Sequence, residues 1–283
     1  MPHHGSMTSI TSSGYAEALA GARSTDGGFG PRVGLPSEPE PTALAAIALD
    51  DDDARAWLEA HQNEDGRLAV HIGAVENDSV TPLAALALSG SARERALDAV
   101  VAMRAARFPS TPAIPFDDAV RGWPWTRGAF GWAEPTAHVV LALRVLRPEA
   151  MVALDDGIGM LLDRECVGGG WNYGNRVVLG EDLPPFAQTT AIAMLALQRF
   201  EDAALRDRGL TRLRQLWRAE ADGGLSVGLA SAALRANGDP DQPAAEAALA
   251  DNFSRTRFVG DVTATAWAAI ATGPGLDRLT VQP

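Results

Sequence analysis

The sequence predicts an all-α chain, an (α/α)6 toroid with an inner ring of apolar helices inside an outer ring of amphipathic ones. Three observations predict it. One apolar theme recurs as "PTALAAIAL", "TPLAALALSG", "PTAHVVLALRVL", "TTAIAMLALQRF", "GGLSVGLASAALRANG" and "DVTATAWAAIATG". Segments with charges at helical spacing alternate with it. Short glycine-rich links join the two kinds. A helix apolar on nearly every face is buried on nearly every face, so the first set belongs inside.

In chain order, the first outer helix is Tyr15 to Arg23, with the link "DGGFG" from Asp26 and an inner helix opened by "EPEPT". Asp53 to Gln62 follows, with "EDGRL" from Glu64. Ala92 to Arg104 comes next. A long linker, "RFPSTPAIPFDDAVRGWPW", then runs from Arg107 to Trp125, ahead of "RGAFGW" from Arg127. After Leu154 to Cys166 come "GGGW" from Gly168 and a second long loop, Asn172 to Phe186. Asp202 to Glu220 leads through "DGGLS" to the fifth inner helix, and Pro243 to Phe253 precedes the sixth. Glycine stops each outer helix and allows the sharp turn. Long loops of this kind are often lids or binding loops, and both fall at the N-terminal ends of inner helices. Pairing each outer helix with the inner helix after it gives six pairs, enough to close a ring around a central cavity. Residues 14–283 then form one toroid domain. Residues 1–13 read as a tag remnant, "MPHHGS", with a flexible N-terminus and a natural start at Met7.

Composition narrows the function. Hydrophobic residues make up 46% and charged residues 21%, which is globular. The formal charge of -12 argues against a nucleic-acid partner, which needs a basic face. The single cysteine, Cys166, excludes an internal disulfide. No apolar run reaches the roughly 18 residues of a membrane span, and a cytoplasmic location is expected. Oligomeric state is left open.

"AWLEAHQNEDGRL", Ala56 to Leu68, places an aromatic, a Leu, a Gln and a Gly in a fixed frame. It resembles the QW repeat of squalene–hopene cyclases, with Leu68 in place of Trp. "LLDRECVGGGW" keeps that Trp as Trp171 but has Cys166 at the Gln place, and "LWRAEADGGL" has Glu220 there. The resemblance is to the superfamily of terpene cyclases and protein-prenyltransferase β subunits, and it covers most of the chain. It implies isoprenoid chemistry in an apolar cavity. The zinc of the prenyltransferases needs Asp, Cys and His, but no His follows Cys166 at ligand spacing; no metal and no cofactor are expected. Class II cyclases protonate an alkene with the middle Asp of a DxDDT-like motif that opens an inner helix. "DDDD", Asp50 to Asp53, follows an inner helix instead and reads as the acidic start of the next outer one. Aligned on its Thr, "EPEPT" puts Glu38 on the first Asp of the motif, Glu40 on the proton donor and Pro41 on the last Asp.

Glu134 in "AEPT" and Asp261 in "GDVT" stand, like Glu40, two residues before a Thr, and each of these acids also reads as a helix cap. In an apolar cavity burial raises a carboxyl pKa and makes it a general acid. The resemblance thus implies acid-initiated cyclisation or isomerisation of an isoprenoid, with Glu40, Glu134 and Asp261 as catalytic candidates. Phe116, Trp123, Trp125, Phe130, Trp132, Trp171, Tyr173 and Trp267 are candidates for cation–π stabilisation, with packing between repeats as the other reading. Glu38, Arg121, Arg127 and Arg176 complete the expected substrate contacts, the arginines as partners for a diphosphate or as solvated loop charges. Two rivals stay open: a non-catalytic binder of a hydrophobic ligand, and a carbohydrate-active (α/α)6 enzyme, which uses two carboxylates and sugar-stacking aromatics in an open polar cleft.

Overall fold

The computed structural model describes residues 12–74 and 77–282. The expected tag remnant at 1–13 lies outside them, apart from the last two residues, where α1 begins. The chain is an all-α toroid. Six inner helices, α2 (Pro39–Leu49), α4 (Thr81–Ala87), α6 (Ala133–Leu146), α8 (Ala187–Ala196), α10 (Gly224–Ala236) and α12 (Val262–Thr272), pack each against the next. Contact between α12 and α2 closes the ring. Outside it lie α1 (Ser12–Ala20), α3 (Asp52–Ala60), α5 (Gly90–Ala102), α7 (Met151–Asp163), α9 (Ala203–Ala219) and α11 (Gln242–Thr256).

Small side chains let the inner helices approach. In α2, every residue from Pro41 to Ala48 is buried. At Gly228 a Cβ would lie 3.4 Å from the Trp267 Cβ, so α10 and α12 touch nearly backbone to backbone. Fully burying one Leu such as Leu44 contributes roughly 1.5–3 kcal/mol, and the core repeats that gain around the whole ring. Outer helices bury one stripe each. Their pairing differs from the sequence expectation: α3 packs on α2, α5 on α4, α7 on α6, α9 on α8, α11 on α10 and α1 on α12. Each outer helix from α3 to α11 therefore lies mainly on the inner helix before it, while α1, at the start of the chain, lies on the last. For those five the reason is the short turn after the inner helix, such as Asp50–Asp51, where Asp51 caps α3 by accepting the Ala54 N–H at 3.0 Å.

A shared hydroxyl fixes the return link. Thr42 accepts the Phe29 N–H at 2.9 Å, Thr81 the Leu68 N–H at 3.1 Å, Thr136 the Trp123 N–H at 2.9 Å and Thr190 the Trp171 N–H at 2.9 Å. Each bond ties a buried hydrophobic residue to the first turn of an inner helix. Gln62 spans repeats in turn, donating to the carbonyl of Gly66 at 2.9 Å and of Ala92 at 3.0 Å. Gly66 holds φ at +85°, and a Cβ there would meet the Arg95 carbonyl at 2.2 Å, so only glycine fits.

The two ends of the ring differ. At the C-terminal end, a 3-10 turn over Pro274–Leu279 packs on α2, α6 and α12, and Leu276 and Leu279 are buried. Gln198 reaches from the end of α8 to the Leu279 carbonyl at 2.8 Å. This segment plugs the ring. At the other end the helix N-termini open among the long loops, which meet where the Leu179 N–H donates to the Ala113 carbonyl at 2.7 Å. Among the described residues no helix is long and apolar enough to cross a membrane.

Candidate functional site

The mouth of the ring is built by the first turns of the inner helices, so their register decides which side chains meet. The N-cap residues are Glu38, Trp132, Phe186, Gly223 and Asp261 for α2, α6, α8, α10 and α12. Two residues on stand Glu40, Glu134, Gln188, Leu225 and Thr263. Glu40 and Glu134 thus occupy one register. Asp261 does not: Thr265, not Thr263, is the counterpart of Thr42, since each donates to the carbonyl of its N-cap at 2.7 Å. Asp261 accepts the Ala264 N–H at 2.8 Å as a true cap. The expected equivalence of Asp261 with Glu40 is corrected by two positions.

The three acids nonetheless converge. Burial pushes the Glu40 carboxyl up, and the nearby Asp261 charge adds to the rise, while His71 opposes it. Burial raises Glu134 from 4.5 to about 7, and the negative charge of Glu40 contributes. The charge of Glu40 therefore reaches Glu134 at the mouth. Both are half-buried. Glu38 turns outward to His71, whose Nδ1 lies 3.1 Å from its carboxylate. One turn below Glu134 on α6, His138 is buried, its pKa is held down to about 4, and its Nε2 has no hydrogen-bond partner among the described residues.

The expected aromatics separate into three groups. Trp123 and Trp171 are core residues, with their indole N–H groups on the carbonyls of Val100 at 3.0 Å and Leu161 at 2.7 Å. Trp267 is buried at the contact of α10 and α12. Their placement is packing between repeats. Phe116, Phe130 and Trp132 do come together. Phe130 lies 5.2 Å from Phe116 and 5.8 Å from Trp132, edge to face, and Arg164 stacks on Phe116 at 4.3 Å. With Phe108, Ile114 and Asn175 they line an apolar groove of about 410 Å³ beside the start of α6. Tyr173 is exposed and packs on Phe186 at 5.0 Å.

Trp125 lies elsewhere, in a cleft of about 180 Å³ that it lines with Arg67, Asp78, Arg104 and Arg127. Arg127 donates to Asp78 at 2.6 Å. Arg127 also borders an open cavity of about 620 Å³ with a mixed lining that runs past His71 to Pro39, between Glu38 and Glu40. Arg121 gives its backbone N–H to Asp156 at 2.9 Å, and its charge acts on Arg104. Arg176 is half-buried, with Arg164 near it. The rim arginines thus do not gather into one diphosphate site. Sequence reasoning missed Gln188 at the Glu40 register, and its signal was the Thr190 of "AQTT". It also missed Ser226, which links Gln188 at 3.2 Å to Glu220 at 2.6 Å.

No protein-family model matches the chain, and no curated protein matches its sequence. Solved structures do share the fold. A protein from Actinoplanes superposes with a TM-score of 0.59 at 15% identity, over 95% of this chain and 99% of that one. The alpha-1,6-mannanase GH76A of Salegentibacter sp. HEL1_6 gives 0.59 at 10% identity, over 95% and 98%; it is an inactive variant, with two aspartates changed to asparagine, in complex with alpha-1,6-mannotriose.

This likeness corrects the terpene-cyclase resemblance. The structure beside which the chain falls is a glycoside hydrolase holding a saccharide, so the class II-type cyclase or isomerase activity and the isoprenoid partner are withdrawn, and the non-catalytic isoprenoid binder with them. The physical reason is plain in the ring. Its inner helices are apolar because they pack on one another and on the outer helices, not because they line a greasy chamber. What the mouth offers is carboxylates, an imidazole and open clefts beside one aromatic groove. The chain is an (α/α)6 toroid of the kind that carries that mannanase.

Proposed function

We propose that the protein is a glycoside hydrolase with Glu134 as general acid and Glu40 as base. One observation carries the reading: two half-buried carboxyls stand in the same register of two inner helices, and the charge of Glu40 adds to burial in raising Glu134. Glycosidases need such a pair, one acid protonated and one ionised at the same pH. The environment assigns the roles. His71 favours the charge on Glu40, whereas burial and the Glu40 charge hold the proton on Glu134. Glu134 gives its proton to the glycosidic oxygen as the bond to the anomeric carbon breaks. Water adds at that carbon and passes its proton to Glu40. Asp261 caps α12 and, by its charge, keeps Glu40 basic enough to take the proton.

The open cavity past His71 reaches Pro39, between Glu38 and Glu40, which supports an approach for a saccharide, and the mannotriose bound by a protein of the same fold supports a saccharide as substrate. The test is to incubate the protein with alpha-1,6-mannotriose and a panel of other oligosaccharides and follow the products. Glu134→Gln and Glu40→Gln should each lower turnover by about 10²–10⁴-fold. Hydrolysis undiminished in both variants would refute the assignment.

A further inference from the structure

We infer that the cleft between Arg67, Asp78, Trp125 and Arg127 is a binding subsite for one sugar ring, set apart from the acid pair and reached through the cavity past His71. The inference rests on the glycoside hydrolase reading for its substrate class. Its volume of about 180 Å³ equals about six waters of liquid, room for one ring and not for a chain. Its wall is mixed: a half-buried indole beside guanidinium donors and a carboxylate acceptor. That combination suits a pyranose, whose C–H face packs on an aromatic ring while its hydroxyls both donate and accept.

Asp78 supplies the second observation. It is buried, its Oδ2 takes the Arg127 Nε at 2.6 Å, and its Oδ1 has no hydrogen-bond partner among the described residues. A buried carboxylate oxygen without a donor is costly, and a sugar hydroxyl entering the cleft as Arg127 gives way would satisfy it. Arg67 lies 3.7 Å from the same carboxylate, and Arg104 lies 3.6 Å from Asp156. Arg67 also lies 3.6 Å from Asp65, so three arginines are met by three acids and the cleft suits a neutral polyol over an anion. Continuity comes from Arg127, which borders both this cleft and the cavity beside Glu38 and Glu40. A saccharide lying along the rim reaches the acids with one residue while another fills the cleft.

The experiment is calorimetric titration of the Glu134→Gln protein with alpha-1,6-mannotriose, methyl alpha-mannoside and inorganic phosphate, which separates binding from turnover. Mannotriose should bind, and adding Trp125→Ala should weaken it about tenfold or more. Asp78→Asn is the second variant, with thermal unfolding to confirm that it is folded. Mannotriose binding unchanged by Trp125→Ala overturns the subsite while leaving the acid pair standing. Saturable binding that needs Trp125, in a protein whose wild type never hydrolyses the sugar, upholds the subsite and refutes the hydrolase. Binding of phosphate alone, or of no sugar in the panel, overturns the subsite.

Discussion

Replacing Glu134 by Gln should make the fold more stable at alkaline pH and leave it nearly unchanged at pH 4. The carboxyl titrates at about 7 in the native protein against an ordinary 4.5. Its native pKa is raised, so the stability it contributes is fully present below 4.5, where it is protonated in both states. That stability drains away as pH rises through 7, because the unfolded chain ionises freely while the native state must charge a carboxyl in a dry mouth beside Glu40. At about 1.36 kcal/mol per pH unit, the gap converts to about 3 kcal/mol lost by pH 9. Gln keeps the shape and carries no charge, so it escapes the loss. For 283 residues with an unfolding entropy of about 2.1 cal/mol/K each, that is about 5 °C in Tm. The assay is urea denaturation of both proteins at pH 4, 7 and 9, with thermal scans beside it. Glu134→Gln should pull ahead between pH 5 and 9. A difference that stays flat across that range would refute the buried, coupled acid and with it the general-acid role.

His138 gives the opposite window. Burial holds its pKa near 4 against an ordinary 6.5, so the stability it contributes is present above 6.5 and is lost as pH falls through 4. His138→Leu should therefore resist acid better than the wild type by about 3 kcal/mol at pH 3.5, read from acid unfolding; equal midpoints would contradict the burial. The return link is tested by Thr136→Val, which strips the buried Trp123 N–H of its acceptor. Urea unfolding at pH 6 should show a loss of about 1–3 kcal/mol, and a loss below about 0.5 kcal/mol would count against the hydroxyl lock.

The ring itself was legible in the sequence. Alternation of all-apolar and amphipathic helical segments is a local signal, and each element appeared within a few residues of its expected place. The rim position of Glu40 and Glu134 was legible too, since a Pro and a Thr fix the first turn. The partition of the aromatics was not. Trp171 and Trp132 look alike as residues beside rim turns, yet the Trp171 N–H donates to Thr190 and its indole lies in the core. The second stays at a groove, because its neighbours are Phe130 and Asn175 from separate loops. Apolar inner helices suggested an oily chamber, and that inference failed because a helix side counts as apolar whether it faces a cavity or another helix.

By itself, then, the sequence determined the helices, their alternation and the closure of the ring, because the period of burial is written along each segment. Only the tertiary structure decided that the charge of Glu40 reaches Glu134, that Asp261 stands two positions off their register, and that Asp78 sits buried beside Trp125. Those facts depend on how distant turns meet across the mouth, and the field between two carboxyls depends on their separation and on the water excluded between them, which no local pattern carries.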